Sequence, residues 1–216
     1  MDYKAEAEHA YEELVKMIER DWGKEIKSSK DHKVYRMKSE LFNGYAYKCE
    51  YTVEMSLSDY LALVSPKCFG GYIEDVDSIV KAVQCLLEVS DDIKILKSVS
   101  NSLAMGLISS REFIDILYIK RFADNENKVA FVVCEAKYDA PVDPKIVRSK
   151  HYPSGSLINV IEQGGKKILE IKQIEHLDFS GKVPTSVLDS FVPGELFSRG
   201  NTLKKNLKKL EKIRSK

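Results

Sequence analysis

The segment 45–55 shows the clearest two-residue alternation of apolar and polar side chains in the chain. Its apolar residues, which would share one face of an extended strand, are Tyr45, Tyr47, Cys49, Tyr51, Val53 and Met55. A period of two with one apolar face is typical of an antiparallel sheet that packs on one side and meets water on the other. The segment therefore predicts a strand in a half-buried antiparallel sheet.

Further extended segments surround this strand. We predict them at 24–27, 32–38, 93–100, 112–122, 128–137, 158–162 and 167–177. The sequence Gln163-Gly164-Gly165-Lys166 is a strong turn signal and predicts a hairpin between the last two. Polar residues at 123–127 and a proline-bearing stretch at 139–153 predict loops. The residues of segment 80–89 do not decide between a strand and a helix, because their apolar spacing also fits a helix.

Helical periodicity flanks the predicted strands at both ends of the chain. Apolar residues from Tyr3 to Ile18 recur at helical spacing and predict an amphipathic helix that ends near Arg20. A short helix is expected at 58–64 and a long one after Pro184, which Pro193-Gly194 and Gly200 should kink or weaken. Strands in succession between terminal helices favour an α+β fold with one antiparallel sheet.

Composition narrows the class of protein. The 216 residues suit one domain over 1–216, and 44% hydrophobic with 31% charged residues is ordinary for a soluble globular chain. A net charge of +1 provides no field for nucleic acid, and no apolar run approaches the roughly 20 residues of a membrane span. The acidic N-terminus does not read as a signal peptide, and the four scattered cysteines predict reduced thiols in a cytoplasmic protein.

Catalytic and cofactor motifs are missing from the sequence. No phosphate-binding glycine loop, GxSxG elbow or HExxH spacing occurs. His176 and Asp178 lie two residues apart and could form an acid–base pair, yet no nucleophile accompanies them, and a hydrogen-bonded strand end is the simpler interpretation. We therefore predict no enzyme activity, no catalytic residue, no cofactor and no metal site.

Two segments carry a resemblance to a known family. They are SLAMGLISSREFIDILYIKR at 102–121 and LDFSGKVPTSVLDSF at 177–191. Both resemble the START (StAR-related lipid transfer) family, in particular its small, soluble, single-domain sterol carriers, and the resemblance extends from Met1 to about Leu210. It implies a helix-grip fold, in which a long C-terminal helix covers a lipid cavity on a curved antiparallel sheet of nine strands. It also makes 80–89 a strand paired with 93–100.

The resemblance places the candidate lipid site on two strands and the last helix. The predicted ligand-binding residues are Leu96, Ser98, Ser100, Phe113, Asp115, Leu117, Leu188, Phe191, Val192 and Leu196. Asp115 lies on an apolar strand face, so its carboxylate is either hydrogen-bonded to a neighbouring strand or beside a polar part of the cavity. Steroidogenic members of the family carry an acid and an arginine where this chain has Ser98 and Leu117, so that ion pair is absent here. Val76 stands where the soluble carriers have tryptophan.

The resemblance implies a monomeric cytoplasmic carrier that holds one sterol and exchanges it between membranes. A different lipid is the first alternative: a phospholipid, fatty acid or bile acid would need more polar cavity groups, with Lys97 turned inward. There are two further alternatives. One is a binding module whose lipid-bound state is recognised by a partner protein, and the other is an enzyme that uses His176 and Asp178. The last helix and the loop 123–127 would form the lid.

The C-terminal segment is basic, with Glu211 as its one acid. Its cations are Arg199, Lys204, Lys205, Lys208, Lys209, Lys212, Arg214 and Lys216. They fit a solvated helix face whose charges favour the C-terminal end of the helix dipole. They also fit transient docking on an anionic membrane surface.

Overall fold

The computed structural model describes residues 1–215 and combines helices with one large antiparallel sheet. The helices are α1 (Tyr3–Glu19), α2 (Leu57–Val64), α3 (Ile73–Val76) and α4 (Thr185–Arg214). The strands are β1 (Lys27–Ser28), β2 (His32–Lys38), β3 (Tyr45–Glu54), β4 (Val80–Ser90), β5 (Ile93–Ser100), β6 (Arg111–Phe122), β7 (Asn125–Glu135), β8 (Val147–Arg148), β9 (Lys150–His151), β10 (Ser154–Gln163), β11 (Lys166–Glu175) and β12 (Leu177–Asp178). Short 3-10 turns occur at Lys67–Phe69 and Ala104–Gly106.

Nine strands follow one another across the sheet in the order β1-β2-β3-β11-β10-β7-β6-β5-β4. Each is antiparallel to its neighbours, whereas the short β8 pairs with β6 in parallel and β9 pairs with β12 outside the main sheet. This arrangement confirms the predicted α+β fold with a nine-stranded antiparallel sheet and a C-terminal helix.

The sheet separates two apolar cores. On one side α1 buries its apolar stripe, Ala7, Ala10, Leu14 and Ile18, against strand residues that include Ile116. On the other side α4 packs Val192, Leu196, Leu203 and Leu210 against the apolar face of β3. The second face of β3 is more buried than its alternation predicts. Ala46 belongs to the core that α1 covers, and the Lys48 ammonium lies over the rings of Trp22 and Tyr35.

Strand β4 explains the ambiguous periodicity of its sequence. The register of β4 against β5 shifts three times, between Val80 and Ala82, between Cys85 and Leu87, and between Glu88 and Ser90. Each β-bulge adds a residue to the bulged strand, so partly buried residues recur every third position instead of every second. The strand implied by the family resemblance is therefore right, and the helical spacing came from bulges along the edge of the sheet.

The predicted loop at 123–127 is wrong. Only Ala123 and Asp124 form the turn between β6 and β7, and Asn125 already pairs with Phe122. The ladder is irregular here, because the register shifts between Arg121, which pairs with Val129, and Phe122, which pairs with Asn125.

Helix α4 continues through the residues that were expected to interrupt it. Pro193 lies inside the helix and lacks the N–H that would reach the carbonyl of Asp189, which leaves one gap in the hydrogen-bond ladder. Gly200 serves close packing, because a Cβ atom there would lie 2.7 Å from Cε1 of His32 on β2. The missing side chain lets α4 approach the edge of the sheet.

We expect Gly155→Ala to destabilise the fold by about 2–4 kcal/mol. Gly155 has a φ of 133°, and a Cβ atom built there would lie 1.9 Å from the carbonyl oxygen of Phe131 on the neighbouring strand. Gly194→Ala is the matched control, because nothing lies within 4 Å of its Cβ position inside α4. It should stabilise the protein by roughly 0.5–1 kcal/mol. Urea unfolding measures both, and equal effects would contradict the packing argument.

Candidate functional site

An apolar cavity lies between α4 and the face of the sheet that α4 covers. Its volume is about 200 Å³, and we call it the apolar chamber. Six of the ten predicted ligand-binding residues line it: Ser98, Ser100, Phe113, Phe191, Val192 and Leu196. Ser98 and Phe113 are register partners on β5 and β6, so the antiparallel pairing places them side by side on the same face.

The other four predicted residues lie next to the apolar chamber without lining it. Leu96 and Asp115 pair across β5 and β6, and both are buried. Leu117 pairs with Val133 of β7, which puts it on the same side of the sheet. Leu188 lines a narrower cleft of about 20 Å³ near the start of α4.

A second cavity of about 260 Å³ adjoins the first, and we call it the polar chamber. Its polar lining residues are Tyr51, Tyr60, Asp77, His151, Ser154, Ser156, Gln173, Glu175, Arg199, Thr202 and Asn206. Three residues, His151, Glu175 and Arg199, line both chambers. The two cavities therefore lie side by side, one mostly apolar and the other rich in hydrogen-bonding groups.

These three shared residues were not found by sequence reasoning. The sequence places Arg199 on the basic C-terminal face, and His151 lies in the stretch predicted as a loop. Glu175 is the last residue of β11 and lies on the same face as Gln173. Its alternation with the buried Ile174 is the one sequence signal that could have placed it on the face covered by α4. The apolar chamber also contains Ile79, Val80, Leu103 and Phe179, whose residue types alone fit any core.

Asp115 forms an ion pair inside the protein. Its Oδ2 lies 2.8 Å from Nδ1 of His151, and the imidazole stacks on Phe113 with ring centroids 4.5 Å apart. Burial alone lowers the pKa of His151, but the adjacent Asp115 outweighs it together with Glu175, so the pKa is raised. Asp115 therefore lines neither chamber itself but contacts His151, which lines both. The Oδ1 atom of Asp115 has no hydrogen-bond partner among the described residues.

Lys97 does not turn toward the chambers. It pairs with the fully buried Glu112, which also binds Arg148, and its Nζ donates to the carbonyl of Pro141 at 3.3 Å. Lys97 therefore contributes to a charge cluster that joins β5, β6 and β8. The polar-headgroup alternative cannot use it in this arrangement.

His176 and Asp178 do not act on each other. Nε2 of His176 lies 2.8 Å from the Ser39 hydroxyl, and Asp178 accepts a hydrogen bond from the backbone N–H of Ser180 at 2.8 Å. Burial lowers the pKa of His176. The pair is a strand end followed by a turn, which is the simpler of the two interpretations.

The loop between β5 and β6 borders the apolar chamber through Leu103. Next to it, Ala104 and Met105 adopt φ values of 48° and 55°, a conformation that is unfavourable for residues with a side chain. The side chain of Met105 is fully exposed and that of Leu107 is largely so. This loop, and not the short turn at Ala123-Asp124, is the connection beside the cavity.

The cations of α4 divide into tied and exposed groups. Lys209 donates to the carbonyl of Val76, Arg214 pairs with Asp59 at 2.7 Å, and Arg199 lines the chambers. Lys204, Lys205, Lys208 and Lys212 are exposed. Lys216 lies outside the described residues. The exposed basic face is thus narrower than the sequence predicts.

Two absences concern the described residues alone. No helix in 1–215 is long and apolar enough to cross a bilayer. Within the same residues, no group of three or more His, Cys, Asp or Glu side chains could hold a metal ion.

Comparisons with known proteins agree with this geometry. A family model described as the START domain matches residues 2–213. Human StAR-related lipid transfer protein 6 is 27% identical over 205 residues, covering 91% of this chain and 87% of that protein. Human StAR-related lipid transfer protein 5 is 29% identical over 157 residues, covering 70% of each. A solved structure of the latter superposes with a TM-score of 0.83 at 25% identity, covering 96% of this chain and 97% of that one.

We expect Asp115→Asn to cost more stability at about pH 5.5 than at about pH 8.5. Because the pKa of His151 is raised in the folded state, the ion pair contributes fully below the unfolded-state pKa. That contribution is lost as the pH rises through the folded-state pKa. Urea unfolding at both pH values measures the difference. Asp178→Asn is the control, because its amide oxygen can still accept from the Ser180 N–H and no histidine is its partner, so any change in stability should be equal at both pH values. The same behaviour for Asp115→Asn would refute the ion pair.

Proposed function

The chain belongs to the START domain family, and from this we propose that it binds one lipid beneath α4 and carries it between membranes. The observation that carries the proposal is the apolar chamber, which is enclosed by α4 on one side and by β5 and β6 on the other. The relatives' names describe lipid transfer, and this chain matches them over most of its length. The mechanism is sequestration: the cavity hides an apolar molecule from water and requires no covalent step.

We propose a sterol as the cargo. Ligand cavities for molecules of this size usually hold about 300–1,000 Å³. Each chamber alone falls below that range, and the two together reach it. Burying a few hundred Å² of sterol surface is worth on the order of 10 kcal/mol at about 25 cal/mol per Å². The small size and the apolar lining favour one compact ring system over a lipid with two acyl chains.

The loop between β5 and β6 supports a proposal for the route of exchange. Leu103 lines the apolar chamber, and the exposed Met105 and Leu107 follow on the same short connection. Contact of these two side chains with a bilayer would remove apolar surface from water and displace Leu103 from the cavity wall. During this contact, the exposed lysines of α4 would attract the protein to an anionic membrane surface. We propose that the carrier is otherwise cytoplasmic and monomeric.

Native mass spectrometry after incubation with mixed liposomes tests the cargo. We expect a one-to-one adduct with a sterol. A different lipid at the same stoichiometry would keep the carrier function and replace the cargo. The absence of any adduct would contradict the carrier function itself.

We expect Ser98→Phe to weaken sterol binding at least tenfold, because the ring would occupy part of the apolar chamber. Ser28→Phe is the matched control, since Ser28 is exposed on β1 and its substitution should leave affinity unchanged. Displacement of a fluorescent sterol measures both. Unchanged affinity in a folded Ser98→Phe protein would place the lipid elsewhere.

We expect Lys205→Glu/Lys208→Glu to weaken binding to anionic vesicles by about 2 kcal/mol, because each basic residue near such a surface contributes about 1 kcal/mol. Binding to neutral vesicles should not change. Lys4→Glu/Lys24→Glu carries the same charge change on exposed residues outside α4, one in α1 and one between α1 and β1. Vesicle co-sedimentation compares the two variants. Equal losses would show that net charge, and not this face of α4, attracts the membrane.

A further inference from the structure

Arg199 differs from every other arginine of the chain. The remaining six each hydrogen-bond or ion-pair with a carboxylate or a carbonyl. The guanidinium of Arg199 makes no such contact among the described residues, although it is partly buried and lines both chambers. A guanidinium has five N–H donors, so this position offers several hydrogen bonds to whatever occupies the cavity.

Glu175 shares the same position between the chambers. Its Oε2 accepts from Nε2 of Gln173 at 3.3 Å, and Oε1 has no partner among the described residues. The hydroxyl of Tyr51 in the polar chamber is buried and also lacks a partner there. A buried polar group without a hydrogen bond costs about 1–3 kcal/mol, and the Tyr51 hydroxyl is such a group. Glu175 is only partly buried, and its Oε1 offers a further acceptor to a cargo that carries a polar end.

The charges around Arg199 decide what kind of polar end fits. Burial lowers the pKa of Arg199, but neighbouring groups that include Tyr51 and Glu175 outweigh it and raise the pKa. Acids outnumber the arginine along the walls, because Asp77 and Glu195 line the chambers with Glu175, while the charge of His151 is matched by Asp115. A negatively charged head would face these carboxylates. A hydroxyl is neutral, can accept from a guanidinium and can donate to a carboxylate.

We infer that Arg199 and Glu175 form the head-group site of the cargo and select a neutral lipid whose polar end is a hydroxyl. The inference rests on the carrier function proposed above. The hydroxyl would accept from Arg199 and donate to Glu175, while the ring system occupies the apolar chamber and part of the adjoining polar chamber. The two charges come from α4 and from the end of β11.

Three sterols that differ only at one carbon test the pair. They are cholesterol with its hydroxyl, the ketone analogue, which accepts but cannot donate, and the sulfate ester, which is an anion. Each competes with a fluorescent 3-hydroxysterol for the wild-type chain and for two variants. In the wild type, cholesterol should compete at least tenfold better than either analogue.

The variants should change this ranking in different ways. Arg199→Met keeps a similar stem and removes the donors, so cholesterol should bind at least tenfold more weakly. Glu175→Gln replaces an acceptor with an amide that can donate to a ketone, and the preference for hydroxyl over ketone should fall at least tenfold. The controls are Arg121→Met, an exposed arginine on β6, and Glu170→Gln, on the solvent side of β11. Both should keep the wild-type ranking.

The outcomes separate this inference from the function on which it rests. If the wild type binds no sterol, the sterol cargo is wrong and the pair falls with it. If the wild type binds cholesterol and both variants weaken all three sterols by one common factor, the pair has a structural role and the inference is overturned. Tightest binding of the sulfate, lost in Arg199→Met, would also overturn it, because the site would then select an anion. Glu175→Gln is nearly isosteric, so the ranking remains measurable even if Arg199→Met does not fold.

Discussion

The packing of α4 on the sheet is the contact on which both cavities depend. The C-terminal half of the helix is tied down by Leu203 and Leu210 in the core, by Lys209 on the carbonyl of Val76 and by Arg214 on Asp59. Each buried leucine contributes about 1.5–3 kcal/mol. The N-terminal half roofs the apolar chamber through Phe191, Val192 and Leu196 and contains the gap left by Pro193. This half is fastened to β2 and β3 as well, because Asp189 pairs with Arg36 at 3.4 Å and accepts from the Tyr47 hydroxyl at 3.4 Å.

Much of the fold follows from periodicity, and the failures have physical causes. The apolar stripe of α1 and the alternation of β3 predict the two faces of the sheet, because each element buries one side only. Strand β4 misleads the same reasoning, since bulges convert a period of two into a period of three. Only the family resemblance identified it as a strand, and a local pattern cannot separate a bulged edge strand from a helix.

The candidate site could be predicted only in its apolar part. The family resemblance places Ser98 and Phe113 at the site, and strand alternation fixes the face to which each side chain points. The polar part is assembled from a short strand, the end of a long strand and a helix: His151, Glu175 and Arg199. No spacing connects residues that only tertiary packing brings together, and Arg199 stands in a segment where seven further cations fit a solvated face. A charge that turns inward is indistinguishable in sequence from its outward neighbours.

The division into two chambers also separates affinity from selectivity. A carrier must release its cargo, so the polar end cannot be held by bonds that water is unable to replace. Hydrogen bonds to Arg199 and Glu175 exchange with bonds to water at a small net gain, about 1.5–3 kcal/mol when one partner is charged. The apolar chamber supplies most of the binding energy and distinguishes poorly between lipids of similar shape. Discrimination then falls to the polar chamber, where a wrong head group leaves charged groups unpaired at a cost of several kcal/mol. Such a site can choose its lipid sharply while holding it only as tightly as its apolar surface allows.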